Sequence, residues 1–169
     1  MSQKLFIDKF SFMKYINLDK ICVEECCRFV NTVINEARHN EARQNVILSI
    51  QPEFVRKIFN HSKKYEYRKV MFSPDVKKVY VYASEPISKI VGYFIIDDIV
   101  EGTPPNVWRK TSKEAGITKQ YFDEYFKGHD KAYAIRIKSA KLFDSPIEPK
   151  SVIKNFRAPQ SFCYTEVSL

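Results

Sequence analysis

Metal ligands are in short supply. Three histidines, His39, His61 and His129, lie far apart, and four cysteines, Cys22, Cys26, Cys27 and Cys163, show no spacing that a zinc site uses. No metal or other cofactor is therefore expected. Long apolar runs are missing too: none approaches the ~20 residues that a membrane-spanning helix needs. The N-terminal MSQKLFIDKF lacks the apolar centre of a secretory signal. With its cysteines expected as thiols, the chain reads as a cytoplasmic protein with no membrane partner. There is no internal repeat and no low-complexity segment, so disorder is expected only at the ends.

What is present suits one domain with a hydrophobic core plus an extension: 169 residues, 44% hydrophobic and 14% aromatic. Lys and Arg number 28 against 20 Asp and Glu, a formal charge of +8 that favours polyanionic partners. The excess is unevenly spread. Residues 1–44 carry seven basic and six acidic residues, residues 45–72 six and two, and the remainder fifteen and twelve. Half of the net charge thus falls in one 28-residue stretch.

From Asn17 to about Arg38 apolar residues recur at helical spacing, Leu18, Ile21, Cys22, Cys26, Phe29, Val30, Val33, Ile34 and Ala37 among them, with Asn17 placed as a cap. One greasy face results. It is expected to dock on the main domain or to pair with a second copy in a homodimer. The polar HNEARQ that follows reads as a linker, which puts an N-terminal helical extension at 1–44 and a domain at 45–169.

The charged stretch NVILSIQPEFVRKIFNHSKKYEYRKVMF opens with a buried strand, Val46 to Ile50. Pro52 suits the first turn of a helix because its missing N–H would have no partner there. Phe54, Val55, Ile58 and Phe59 form that helix's buried side, and Asn60 to Lys63 a polar turn. Strand alternation then sets Tyr65 and Tyr67 against Lys64, Glu66 and Arg68. A helix between two strands, with charges returning on the second, is a way to line a cleft.

Further strands are expected at Lys77 to Ala83 and Ile90 to Ile99, together making a β-meander, and a long strand at Lys131 to Phe143. Gly92 within the second marks a bulge or a close backbone approach. Pro104 and Pro105 precede a helix with Trp108, Gly116 breaks it, and Thr118 to Phe126 forms another that Gly128 ends. The tail, with Pro146, Pro149 and Pro159, is expected to wrap the surface. Five or six strands and three or four helices in mixed order describe an α+β domain around a small curved sheet or barrel.

The segments SIQPEFVRKIF, NHSKKYEYRK, VYVYAS, IVGYF and APQSFCY, spread from about Val46 to Tyr164, together resemble an ASCH domain of the PUA-like superfamily. The resemblance implies a β-barrel with helices at its rim, similar to PUA, EVE and YTH domains, and a cleft that takes RNA or a nucleotide. It carries Lys63, Glu66 and Arg68 onto the family's charged turn-and-strand motif. Ser49 and Pro52 match the opening strand and helix, and Gln160 and Ser161 the C-terminal segment. His61 stands where the family usually has a turn glycine.

Three functions follow. The first is an RNA- or modified-nucleotide-binding module with a basic cleft formed by Ser49, Lys63, Lys64, Glu66, Arg68, Gln160 and Ser161. In it Lys63 and Arg68 meet phosphate or base edges, Glu66 accepts from a base amino group, and a tyrosine such as Tyr65 or Tyr82 stacks. The second is a hydrolase acting on RNA or an acylated nucleoside through Lys63 and Glu66. One branch of the family, an acetylcytidine amidohydrolase, has lysine and threonine in this motif. This chain keeps the lysine as Lys63 but has Glu66 at the threonine's place, and only Glu114 approximates the branch's distant glutamate. Without the hydroxyl nucleophile the balance moves towards binding. The third is a protein-interaction module using the N-terminal helix. Surface charge ladders, a solvated His61 and a Trp108 that anchors the core are the ordinary structural readings of the same residues.

Overall fold

The computed structural model describes residues 28, 30–32, 45–73 and 75–169. The chain divides into two compact units, Met1–His39 and Asn40–Leu169. In the first, Arg28 and residues 30–32 are helical, and the Thr32 hydroxyl donates to the Arg28 carbonyl at 2.9 Å. The rest of the expected helix, with Cys22, Cys26, Cys27 and Phe29, lies outside the described residues, as does any pairing through it.

In the second unit, β1 (Asn45–Ile50) leads through Gln51 into helix α1 (Pro52–Phe59), with Pro52 in the first turn. Phe54, Val55 and Ile58 are its buried side. The chain then forms β2 (Tyr65–Arg68), β3 (Lys78–Ala83) and β4 (Lys89–Gly102). Helix α2 (Pro104–Thr111), a 3-10 turn (Ser112–Glu114) and α3 (Lys119–Tyr125) follow, then β5 (Ala132–Ile147), α4 (Pro149–Val152) and β6 (Phe162–Thr165). Among the described residues no helix is long and apolar enough to cross a membrane.

The six strands form one mixed sheet in the order β2-β5-β4-β3-β1-β6, with β1 parallel to β3 and every other pairing antiparallel. β3 and β4 pair as the expected meander, and β5 extends it. The sheet curls as a half-barrel: Arg68 on β2, at one edge, donates to the Ser49 carbonyl on β1, the fifth strand, at 2.8 Å. The tail departs from its expected course. Its prolines do cross the surface, but Phe162 to Thr165 then pairs with β1 as an edge strand, because alternate apolar residues there can enter the sheet.

Burial on both sheet faces explains the near-continuous apolar run of β1. Val46, Leu48 and Ile50 join Val79, Val81, Phe94 and the buried side of α1 in one core, while Ile47, Tyr80, Tyr82 and Ile90 form another on the opposite face. A third core packs α2 and α3 on β2 and β5 through Tyr65, Tyr67, Val107, Phe122 and Phe126. Trp108 belongs to this third group, its ring 4.8 Å from that of Phe122. Gly92 meets its expectation. The strand register shifts beside it, and a Cβ at this position would lie 2.3 Å from the Lys141 carbonyl oxygen.

Candidate functional site

The site begins where α1 stops. Asn60 accepts from the Ser62 backbone N–H at 3.1 Å and from its hydroxyl at 2.7 Å, closing the turn. His61 adopts φ 63°, a left-handed conformation that glycine takes without strain. Histidine thus keeps the turn that the missing glycine would have made. The Lys63 N–H closes back on the Lys57 carbonyl at 2.9 Å, directing the Lys63 side chain inward.

The connection between α2 and α3 holds Lys63 from the other side. The Lys64 N–H donates to the Glu114 carbonyl at 2.9 Å, and Gly116, at φ 66°, lies so close that an added Cβ would come within 2.4 Å of the Lys63 Cβ. Lys63 is 2% exposed, Glu66 6% and Arg68 7%. The two Glu66 oxygens are shared out: Oε2 is 3.4 Å from the Lys63 ammonium, Oε1 2.9 Å from Arg68 Nη2. Lys63 also donates to the Tyr65 carbonyl at 2.5 Å and sits 4.7 Å from the centre of the Tyr67 ring. Burial pushes the Lys63 pKa below the ordinary lysine value, and the Glu66 carboxylate opposes that shift.

These charges form the floor of a cleft of about 320 Å³, a size suited to a small ligand. Ser49, Ile50 and Gln51 border it at the start of α1, with Phe54, Tyr121, Tyr125 and Ile117 along the helical wall and Ser84 and Gln160 from two loops. Tyr67 lies underneath. Its hydroxyl is 2.9 Å from Thr111 Oγ1, and Thr111 donates to the Val107 carbonyl at 2.8 Å, so Tyr67 is the donor between the two. Burial pushes the Tyr67 pKa up to about 12, keeping the phenol neutral. Burial also raises the pKa of Tyr121 and Tyr125.

Of the residues expected at the site, Ser49, Lys63, Glu66, Arg68 and Gln160 come together in this cleft. Lys64 and Ser161 are not in its lining. Lys64 precedes the strand proper, tied to Glu114 and Ile137 through its backbone, and the Ser161 carbonyl accepts from the Ser49 N–H. Tyr65 and Tyr82 are buried in two different cores, so neither presents a face to the cleft. Tyr121 and Tyr125 line the cleft instead. Their i,i+4 spacing, beside the core pair Phe122 and Phe126, was the available signal. Glu114 and His61 are exposed and outside the lining. Among the described residues no group of three or more His, Cys, Asp and Glu side chains converges to hold a metal.

No protein-family model matches the chain. It is 28% identical over 129 residues to an ASCH domain-containing ribonuclease from Zymomonas mobilis, covering 72% of this chain and 84% of that protein. The crystal structure of ASCH from Zymomonas mobilis superimposes with a TM-score of 0.67 at 28% identity, over 72% of this chain and 87% of the other. The chain is also 29% identical over 128 residues to the large ribosomal subunit protein uL22 of Ureaplasma parvum. That match covers 75% of this chain but 41% of the relative, less than half its length.

Proposed function

Because this chain carries an ASCH domain of the PUA-like superfamily, we propose that it binds RNA by drawing one nucleotide into the cleft between α1, β2 and α3. The observation that carries this reading is the combination of an aromatic wall with a charged floor in one small cleft. Bases of any identity have a π-face that tyrosine can stack on, and each such contact is worth about 1–3 kcal/mol. Tyr121, 38% exposed at the mouth, is the ring best placed to do so. Single-stranded RNA is the form that can splay a nucleotide out of its stack. The net charge of +4 on residues 45–72 favours the approach of a polyanion. The name of one relative, a ribonuclease, agrees with RNA as the ligand class.

Binding of single-stranded oligoribonucleotides by fluorescence anisotropy tests this. Affinity is expected to fall as salt rises and to drop by about tenfold or more in Tyr121→Ala, whose exposed side chain leaves the fold intact. Unchanged affinity in that variant would remove the stacking role and with it the cleft assignment.

A second reading, RNA cleavage, is favoured by one feature: a lysine of lowered pKa 3.4 Å from a carboxylate is a candidate acid–base pair. Binding takes precedence because the pair is engaged with itself. Lys63 donates to the Tyr65 carbonyl and is ion-paired with Glu66, which is also ion-paired with Arg68, leaving neither group free in the ground state. The same engagement weighs against Glu66 as a nucleophile towards an acylated nucleoside. Turnover of single-stranded RNA that disappears in Lys63→Met would favour cleavage over binding alone.

A further inference from the structure

Gln160, the one cleft residue that comes from the tail, stands just ahead of a short edge strand. β6 pairs with β1 over four residues, Phe162 to Thr165, and ends the sheet. A strand so short and one-sided depends on what holds it beyond its own ladder. At the cleft end Ser49 holds the chain on either side of Gln160: its Oγ donates to the Pro159 carbonyl at 2.6 Å and its N–H to the Ser161 carbonyl at 2.9 Å. Tyr164 adds a contact within the strand, its hydroxyl accepting from the Ser73 N–H at 2.8 Å.

The far end is tied on the sheet face that carries Ile47, Tyr80, Tyr82 and Ile90. After β6 the Val167 N–H donates to the Thr165 hydroxyl at 3.1 Å, and Leu169 then packs on that face. Lys78 and Tyr80, two residues apart on β3 and so on the same side of it, meet the Leu169 main chain. The Leu169 N–H donates to the Tyr80 hydroxyl at 2.7 Å, and the Leu169 carbonyl oxygen accepts from that hydroxyl at 3.2 Å and from the Lys78 ammonium at 3.3 Å. Lys78 is itself fixed. Its ammonium lies 4.7 Å from the centre of the Tyr80 ring and 4.4 Å from that of Tyr93. Neither Lys78 nor Tyr80 lines the cleft.

We infer that Lys78 and Tyr80 are positioning residues for the cleft: by clamping the main chain of Leu169 they hold β6 in place, and with it the Gln160 side of the cleft wall. The inference rests on the RNA reading for what Gln160 does, and on the clamp alone for how Gln160 is held. Tyr80→Phe isolates the clamp. The ring keeps its packing, while the Leu169 N–H loses its acceptor, and an ammonium, which only donates, offers no replacement.

The test combines amide hydrogen exchange with RNA anisotropy on the full chain. In Tyr80→Phe the amides of Ser161 and of β6 are expected to exchange about tenfold faster or more, with those of β4 unchanged. Lys78→Met is expected to act in the same direction and Lys78→Arg to restore protection, since arginine keeps a charged donor. Single-stranded RNA is expected to bind about threefold or more weakly to Tyr80→Phe, but within about 1.5-fold of equally to Gln160→Ala and to Tyr80→Phe combined with Gln160→Ala, because a residue that acts through another has no effect once that one is gone. Equal losses in both backgrounds, or faster exchange in β6 with RNA affinity unchanged, would overturn the positioning role and leave the RNA reading standing. Unchanged exchange in β6 of both Tyr80→Phe and Lys78→Met would overturn the clamp. Faster exchange in a protein whose wild type binds no RNA would overturn the RNA reading and keep the clamp on Gln160.

Discussion

Replacing Glu66 with glutamine preserves shape and removes the one buried negative charge between Lys63 and Arg68. Both Glu66 oxygens are engaged, at 3.4 Å and 2.9 Å, and all three side chains are more than nine-tenths buried. Removing one partner of such a group leaves the others uncompensated, which costs about 3–5 kcal/mol. That is a large part of the roughly 5–15 kcal/mol that stabilises an ordinary domain. Lys63 can relieve part of the loss by giving up its proton, since burial already lowers its pKa and Glu66 is what opposes the shift. The sign of the pH dependence follows. In Glu66→Gln the folded Lys63 pKa falls further below its unfolded value, so in that window the unfolded chain binds more protons and stability rises with pH. The deficit relative to wild type should therefore shrink as the pH rises towards the ordinary lysine value. Urea unfolding followed by the fluorescence of Trp108, the single tryptophan, measures both. A deficit under about 1 kcal/mol at pH 7, or one that grows towards pH 9, would refute the buried-triad argument. Glu66→Gln combined with Lys63→Met should be less destabilised than Glu66→Gln alone.

Gly116→Ala should destabilise by roughly 2–5 kcal/mol, combining left-handed strain with crowding of Lys63, and thermal unfolding would reveal it. His61→Gly should act the other way. Relief of a left-handed non-glycine residue, about 1–2 kcal/mol, exceeds the entropic cost of glycine, so a net gain of about 0.5–1 kcal/mol is expected in urea unfolding. Tyr67→Phe should cost about 1 kcal/mol through the lost bond to Thr111. It should also lessen an alkaline instability: with the folded Tyr67 pKa at about 12, the contribution of Tyr67 to wild-type stability is full below the ordinary tyrosine value near 10 and falls between there and 12. An unaltered alkaline profile in Tyr67→Phe would contradict that assignment.

The local part of the site was legible because each step has a short-range cause. Pro52 sets the start of α1, the spacing of Phe54, Val55 and Ile58 gives its buried side, and strand alternation brings Glu66 and Arg68 to one face. What adjacency in sequence cannot convey is which distant element completes the cleft. Tyr121 and Tyr125 arrive from a helix more than fifty residues beyond Arg68. Alternation extended one residue too far included Lys64, which the backbone bonds to Glu114 and Ile137 hold outside the lining. Proline content pointed to a surface tail and hid β6, whose four residues are ordered by pairing with β1. Charge content singled out residues 45–72, but burial could not be read from it. The Lys63, Glu66 and Arg68 ladder proved to be an enclosed triad, a different electrostatic object from a solvated strand face.

The central claim, that one nucleotide of RNA occupies this cleft, is most directly tested by following backbone amide and arginine Nε–H resonances while single-stranded RNA is added to the ¹⁵N-labelled chain. The account predicts that shifts concentrate at Gln51, Tyr121, Tyr125 and Gln160, and that the buried Arg68 Nε–H moves with them. Shifts confined to residues away from these, with Arg68 Nε–H unmoved at saturation, would contradict it.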